Sequence, residues 1–424
     1  MQTLKLTKKY EQYLEYKDSG VEWLGDVPKN WNVDIIQHLF TKVKRLGFGD
    51  EELLSVYRDR GVIIKSSRDD NHNKASEDLS LYQLVNKGDL AINKMKAWQG
   101  SIAVSEYKGI VSPAYFICKP LTKNDSRFMH YLLRSDIYIK QYERNSGGVR
   151  NDQWDLNYER FRKLEIAIPQ INEQERISKY LNEKTVLIDQ IIEKKEILIE
   201  KLEEKRNATI SKQIFEDVGK DWKIQKIKHL VLTIESGIWG DNPLSDQNDI
   251  KCLRIADFDY DNFSFSTVET VRNNPDLNER KVLRDGDILM EKSGGGEKTP
   301  VGRAILFSSE ERMVCANFID KVRVDKDKIL PEFLVLYLSV LYAGRVNTKY
   351  IKQNTGIQNM DIKEYFGENV SYPDIEIQKN LTKFVNAKIK DFNKAISDVE
   401  KTIKTLKEFK TALISSVVTG KIKV

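Results

Sequence analysis

The feature that most narrows what this chain can fold into is a repeat at a constant offset of 204 residues: IPQINEQERISKYL at 168–181 returns, altered, as YPDIEIQKNLTKFV at 372–385. Without a gap, the same offset lays Ile192 over Ile396, Ile199 over Ile403, Leu202 over Leu406, Ala208 over Ala412 and Ile210 over Ile414. Upstream, WNVDIIQHL at 31–39 answers WKIQKIKHL at 222–230, and VNKGDLAINK at 85–94 answers LRDGDILMEK at 283–292. There the offset drifts, as it must when loops differ in length. A unit of about 200 residues is too long for a solenoid repeat, so the pattern is a tandem duplication of a domain with an appended helix.

The appended segments run from about 171 to 213 and from about 374 to 417, with no internal proline or glycine. Apolar side chains recur in steps of four and three: Ile177, Leu181, Ile188, Ile191, Leu198 and Leu202 in the first, and Phe392, Ile396, Val399, Ile403, Leu406, Leu413 and Val417 in the second. That period of 3.5 is the signature of a helix wound about a partner. Pro169 and Pro373 stop the preceding strand, and Gly420 follows the last helix, where a terminating glycine belongs. Forty-three residues make a rod of about 64 Å. Each narrow seam needs a partner, and an antiparallel pairing of the two copies holds one globule at each end. Two helices docked on their own globules is the alternative.

Each unit opens with short β-branched and aromatic runs broken by turn signals: LLSVY, GVII, GDLAIN and GIVSPAYFI, then GDILM, VGRAILF and FIDKVRV. They read as strands of mixed, mostly β domains, with helices expected near 126–142 and 331–344. The class is α+β, two such domains arranged pseudo-symmetrically. The expected division is a first domain over 1–170, a spacer helix over 171–215, a second domain over 216–373 and a second spacer over 374–424.

The 69 basic and 64 acidic residues leave a net charge of +5, so contact with a polyanion must be local rather than spread over the surface. Cys118, Cys252 and Cys315 are far apart, and the four histidines show no zinc-ligand spacing, which fits a reduced compartment without structural metal. The longest apolar run, FLVLYLSVLYAG at 333–344, falls short of a bilayer span and reads as a buried helix of a cytoplasmic protein without membrane contact.

Catalytic motifs are scarce. SGGGEKTP at 293–300 has Glu297 where a phosphate-binding loop requires glycine before the lysine, so it reads as a flexible loop or an ordinary hairpin turn. Asp257, Asp259 and Asp261 in ADFDYDNF read as a polar loop rather than a metal site. Nucleic-acid contact has more behind it. INKMKAWQGS gathers Asn93, Lys94, Lys96, Trp98 and Gln99, cations for phosphates beside amide and aromatic groups for bases. Further clusters hold Arg58, Arg60, Lys65 and Arg68, then Arg150 and Asn151 in NSGGVRND, answered in the second copy by Gln358 and Asn359 in NTGIQNMD. Charge runs are often no more than solvated faces, and that reading stays open for each residue.

YKDSGVEWLGDVPKNWNV, LLSVYRDRGVIIKSSRDDNHNK, GDLAINKMKAWQGSIAVSEYKGIVSPAY and the terminal TALISSVVTGKIKV resemble the specificity subunit of type I restriction-modification systems, along essentially the whole chain. The resemblance implies two target recognition domains, each reading half of a bipartite, asymmetric double-stranded DNA sequence, with paired helices setting the gap. It also implies docking of two adenine methyltransferase subunits, which use S-adenosylmethionine, and through them nuclease-translocase subunits, which use ATP and Mg. This chain itself would be non-catalytic and carry no cofactor. Carried onto matching positions, DNA contacts fall on Lys94, Lys96, Trp98, Gln99 and Arg150, and in the second domain on Lys292, Ser293, Gly294, Lys298, Arg303 and Gln358. The competing classes are an enzyme in its own right and a coiled-coil scaffold without DNA affinity.

Overall fold

The structure is a computed structural model that describes residues 10–58, 60–67, 76–148, 154–216, 221–353 and 356–424. It divides into two compact units, Met1–Lys194 with Thr402–Val424, and Lys195–Lys401.

Each unit is built round the same four-stranded antiparallel sheet. In the first, the order is Phe40–Val43, Tyr115–Pro120, Leu90–Asn93, Ile102–Val104; in the second it is Val231–Ser236, Ile319–Val324, Ile288–Glu291, Ala304–Leu306. The Gly-Asp pair ahead of the third strand explains the recurrence of that motif. Gly88 and Gly286 take positive φ at the turn. The aspartate that follows is 2% exposed in both copies. Asp89 Oδ2 accepts from Asn86 N and Asp287 Oδ2 from Arg284 N, each at 2.8 Å, and each carboxylate is paired with an arginine, Arg45 at 2.5 Å and Arg323 at 2.7 Å. A buried carboxylate survives only with such partners.

A second shared feature ties the start of each unit to its helix. Asn32–Ile35 pairs antiparallel with Glu165–Ile168, and Lys223–Lys226 with Asn369–Tyr372. The preceding tryptophan sets its ring edge against a phenylalanine of a later helix in both cases, Trp31 on Phe128 at 6.3 Å and Trp222 on Phe333 at 6.2 Å. The repeated Pro-x-x-x-x-Gln opening then has a direct physical meaning. Gln174 Nε2 donates to Pro169 O at 2.9 Å and Asn124 Oδ1 at 2.9 Å, while its Oε1 accepts from Asp125 N at 2.9 Å. Gln378 Nε2 donates to Pro373 O at 2.7 Å and Lys328 O at 3.0 Å, and its Oε1 accepts from Leu330 N at 2.8 Å. One buried amide therefore clamps strand end, helix start and the approach to an earlier helix, Ser126–Leu133 in the first unit and Pro331–Ala343 in the second.

The long helices span Ile171–Ser211, continued as a π-helical turn over Lys212–Glu216, and Ile375–Val418. In the second, Ile396, Ile403, Leu413 and Val417 are buried and Phe392, Val399 and Leu406 half-buried. In the first, Ile177, Leu181, Ile188 and Ile192 are buried and Leu202 half-buried, but Ile191 and Leu198, which the sequence pattern puts in the seam, are 37% and 42% exposed. The inward row passes instead through Ile192, Lys195 and Ile199. Within the first unit Lys410 Nζ pairs with Asp189 Oδ2 at 2.7 Å; within the second Arg206 Nη1 donates to Asn393 Oδ1 at 2.6 Å. The single helix expected near 126–142 is two, Ser126–Leu133 and Asp136–Arg144. Ser135 breaks it, taking extended backbone and donating its hydroxyl to Leu132 O at 2.7 Å. The apolar run near 333–344 forms the buried helix Pro331–Ala343, and no described helix is long and apolar enough to cross a membrane.

Within the first unit, residues 11–16 meet the segment that follows the second long helix. Tyr16 OH donates to Gly420 O at 3.1 Å, and Lys423 N to Glu11 O at 2.9 Å. Glu173, 8% exposed at the head of the first long helix, accepts from Tyr13 OH at 2.6 Å, Asn30 Nδ2 at 3.1 Å and Trp31 Nε1 at 3.2 Å. Burial, then this hydrogen bond to Glu173, raises the Tyr13 hydroxyl well above its ordinary pKa. The matching position of the second copy is Ile377, 49% exposed.

Candidate nucleic-acid interface

The third strand of each sheet delivers a lysine to one edge, and the two copies hold it alike. Lys94 N donates to Ala114 O at 3.1 Å and Lys94 O accepts from Leu156 N at 2.8 Å; Lys292 N donates to Phe318 O at 2.8 Å and Lys292 O accepts from Met360 N at 2.9 Å. Leu156 and Met360 lie on the second strands of short hairpins, Ser146–Gly147 with Asp155–Leu156 and Ile351–Gln353 with Gln358–Met360. The structure thus brings together the two separate stretches that sequence reasoning singled out in each copy.

In the first unit the segment after Asn93 turns through the short helix Ala97–Gln99. Asn93 Oδ1 accepts from Met95 N at 3.2 Å, so this amide shapes the turn. Trp98 donates from Nε1 to Met95 O at 3.1 Å and meets Trp154 edge-on at 5.6 Å, packing the loop against the hairpin. Gly100, at φ +92, comes so close to Ile139 that an added Cβ would lie 2.9 Å from its Cδ1. Arg134 fixes the neighbouring turn, donating to Ile102 O at 2.9 Å, Tyr57 O at 3.3 Å and Arg58 O at 2.5 Å. Lys96 and Arg58 are exposed, Lys94, Gln99 and Lys65 half-buried. Lys94, Lys96, Arg58 and Lys65 make no ion pair among the described residues, which leaves their charge available to an anion. Arg68, Arg150 and Asn151 lie outside the described residues.

The second unit spends more of its polar groups internally. Lys292 Nζ donates to Ser236 Oγ at 2.9 Å and lies 3.5 Å from Asp320. Ser293 is buried and donates from Oγ to Asn359 Oδ1 at 2.6 Å. Gln358 is buried too, its Oε1 accepting from Val301 N at 3.1 Å, so it holds the glycine loop closed rather than reaching outward. Arg303 clasps buried Glu291, with Nη2 at 2.8 Å from Oε1 and Nε at 3.2 Å from Oε2, and its guanidinium lies 3.6 Å from the Tyr260 ring centroid. Burial, then Glu291, drives the Tyr260 pKa upward; burial opposes the Arg303 charge, and Glu291 more than restores it. Gly294 has positive φ, and Lys298 and Asn359 are exposed; Lys298 makes no ion pair among the described residues. Sequence reasoning missed Arg134, Glu291 and Phe318. Each acts on residues distant in the chain, and no spacing rule signals them.

Other chemistry finds little footing. Asp257 is held by Arg254 at 3.0 Å, Asp259 accepts from Asn262 at 2.8 Å and Asp261 pairs with Arg206 at 2.8 Å. Among the described residues no group of three His, Cys, Asp or Glu side chains is placed to hold a metal, and the three cysteines are free and buried.

Residues 28–201 match the family model for the type I restriction modification DNA specificity domain. The type I restriction enzyme MjaVIII specificity subunit of Methanocaldococcus jannaschii is 24% identical over 425 residues, with 94% of each chain covered. Among solved structures, a chain described under "structural basis underlying complex assembly and conformational transition of the type I R-M system" aligns at TM-score 0.69 and 14% identity, over 92% of this chain and 98% of that one. The HsdS subunit from Thermoanaerobacter tengcongensis aligns at TM-score 0.52 and 14% identity, over 93% and 98%. At 14% identity these two matches establish the fold of the described units.

Proposed function

From the premise that this chain belongs to the specificity subunits of type I restriction-modification systems, with its DNA specificity domain at residues 28–201, we propose that it reads a bipartite DNA target, one half per globule. It is a DNA-recognition component and not an enzyme. Residues 1–170 and 216–373 form the two reading domains; 171–215 and 374–424 form a spacer in which the helices pair antiparallel. Two adenine methyltransferase subunits, carrying S-adenosylmethionine, dock on that spacer, and nuclease subunits using ATP and Mg join through them.

The observation that carries the reading is the duplication itself: one sheet order, one lysine-bearing loop and one clipping hairpin, present twice with different side chains. A protein reading a single uninterrupted site needs one such edge; unlike copies suit unlike half-sites. The spacer reading is supported by the contacts within each unit. In each unit the two long helices touch, through Lys410 and Asp189 in the first and Arg206 and Asn393 in the second. Positioning contacts go to phosphates and discrimination to base edges, at about 1–3 kcal/mol for each good bidentate pair, so two short half-sites together reach a specificity that neither does alone.

The test combines the purified chain, plasmid and S-adenosylmethionine, with and without the methyltransferase subunit of a type I system from the same source. Adenine methylation should appear only when both are present, at a split sequence recoverable by mapping modified adenines. DNA affinity should fall steeply as salt rises. Methylation by the chain alone would make it an enzyme, and salt-insensitive or absent DNA binding would leave only a scaffold.

A further inference from the structure

Next to the Lys292 loop, the second unit holds a slot of about 430 Å³ lined by Trp239, Phe318, Ala256, Ala316 and Arg254. Trp239 is 38% and Phe318 53% exposed. Single exposed aromatics are ordinary on a protein surface, but two lining one slot form a built apolar site. The backbone enforces the placement. Gly237 N donates to Ile319 O at 2.9 Å and Ile238 N to Cys315 O at 2.8 Å. A Cβ on Gly237 would lie 2.2 Å from Cys315 O, so only glycine lets the chain pass and set Trp239 there.

Of the two guanidiniums at the slot, Arg254 is paired with Asp257 at 3.0 Å, whereas Arg272 keeps its charge. The Arg272 guanidinium lies 4.5 Å from the Trp239 ring centroid, donates to Asn242 Oδ1 and Gly240 O at 3.0 Å each, and makes no ion pair among the described residues. Phe318 is continuous with the candidate interface, since its carbonyl accepts from Lys292 N at 2.8 Å. A carbon-walled slot beside unneutralised charge fits an apolar group carried on a polyanion. In the major groove, the C5-methyl of thymine is the one apolar group that base edges present, and Phe and Ala side chains are of the kind that contact it. We propose that the Trp239–Phe318 slot takes the thymine methyl group of the half-site read by the second domain. This rests on the reading of that domain as a DNA reader.

The experiment uses the chain assembled with its methyltransferase subunits and duplexes carrying its mapped target. Each thymine is replaced singly by deoxyuridine, which lacks only the methyl. One position in the second half-site should weaken binding by roughly fourfold to tenfold. That penalty should vanish in Phe318→Ala and Trp239→Ala, while Phe318→Leu, which keeps the surface apolar and serves if the alanine variants melt early, should retain part of it. A second half-site without thymine, deoxyuridine tolerated at every position, or a penalty equal in wild type and variants would each overturn the proposal. Loss of all salt-dependent DNA binding by the wild-type assembly would instead strike the underlying DNA reading.

Discussion

Gln174 and Gln378 show what a single side chain decides when it is buried at a junction. Each satisfies one backbone carbonyl five residues back and two further groups on the approach to an earlier helix, about fifty residues back. Replacing Gln174 with Leu leaves those groups without their partner, the buried Pro169 carbonyl among them, a loss of about 1–3 kcal/mol. Urea denaturation should register it, and Gln378→Leu should cost a similar amount. The local half of this clamp was legible, because the proline and glutamine sit in one short motif. Its remote half was not, since Asn124 and Lys328 carry no mark of their role. His130 supplies a pH dependence. Burial, then the nearby Arg134 charge, pushes its pKa down to about 4. The folded state therefore binds fewer protons than the unfolded chain, whose ordinary histidine value is 6.5. This contribution is complete above pH 6.5 and is lost as pH falls from there through about 4, at no more than about 1.4 kcal/mol per pH unit. Comparing urea midpoints of wild type and His130→Gln across that range should show the slope disappear with the imidazole.

At the scale of the element, the first long helix shows why a heptad pattern can be read one residue out of register. Leu187 and Ile188, Ile191 and Ile192, and Leu198 and Ile199 are adjacent apolar pairs, so two frames obey the 3.5-residue period equally well. They differ by a rotation of about 100°. Burial selects Ile188 and Ile192, with Ile199 half-buried, and turns Leu187, Ile191 and Leu198 outward. The duplication held the resolving clue, because Ile192 and Ile199 align with Ile396 and Ile403, the inward row of the second helix. Ile188→Ala should therefore destabilise by about 2–4 kcal/mol, whereas Ile191→Ala should stay within about 1 kcal/mol. Thermal or urea unfolding of the two variants checks the frame, and equal losses would contradict it. In the candidate interface the elements were legible and the orientation of side chains was not. The resemblance implied a DNA contact at Arg303, yet its partner Glu291 stands twelve residues earlier on a paired strand, and that strand pairing is what turns the guanidinium inward.

For the whole molecule, the two candidate edges share a backbone plan and differ in how their charge is spent. Lys94 and Lys96 make no ion pair among the described residues, whereas Lys292 is tied to Ser236 and lies near Asp320. The proposed DNA contact accordingly predicts that Lys94→Ala and Lys96→Ala each lower the slope of log affinity against log salt by about 1, uniformly across DNA sequences, while Lys292→Ala changes it less. Binding titrations over a salt series decide this. The proposed spacer sets a different test. A seven-residue repeat inserted at facing points of both long helices keeps the apolar seam nearly in phase, since seven residues complete almost two helical turns. It lengthens the rod by about 10 Å, roughly three base pairs at about 3.4 Å each. With about ten base pairs per turn of duplex, the same change rotates the second half-site by roughly 100° about the DNA axis. A rigid antiparallel spacer must then either select targets with a gap longer by about three base pairs or lose modification because both edges can no longer face their half-sites together. Mapping methylated adenines with the insertion variant distinguishes these outcomes from a spacing left unchanged, which would mean that the helices do not measure the gap.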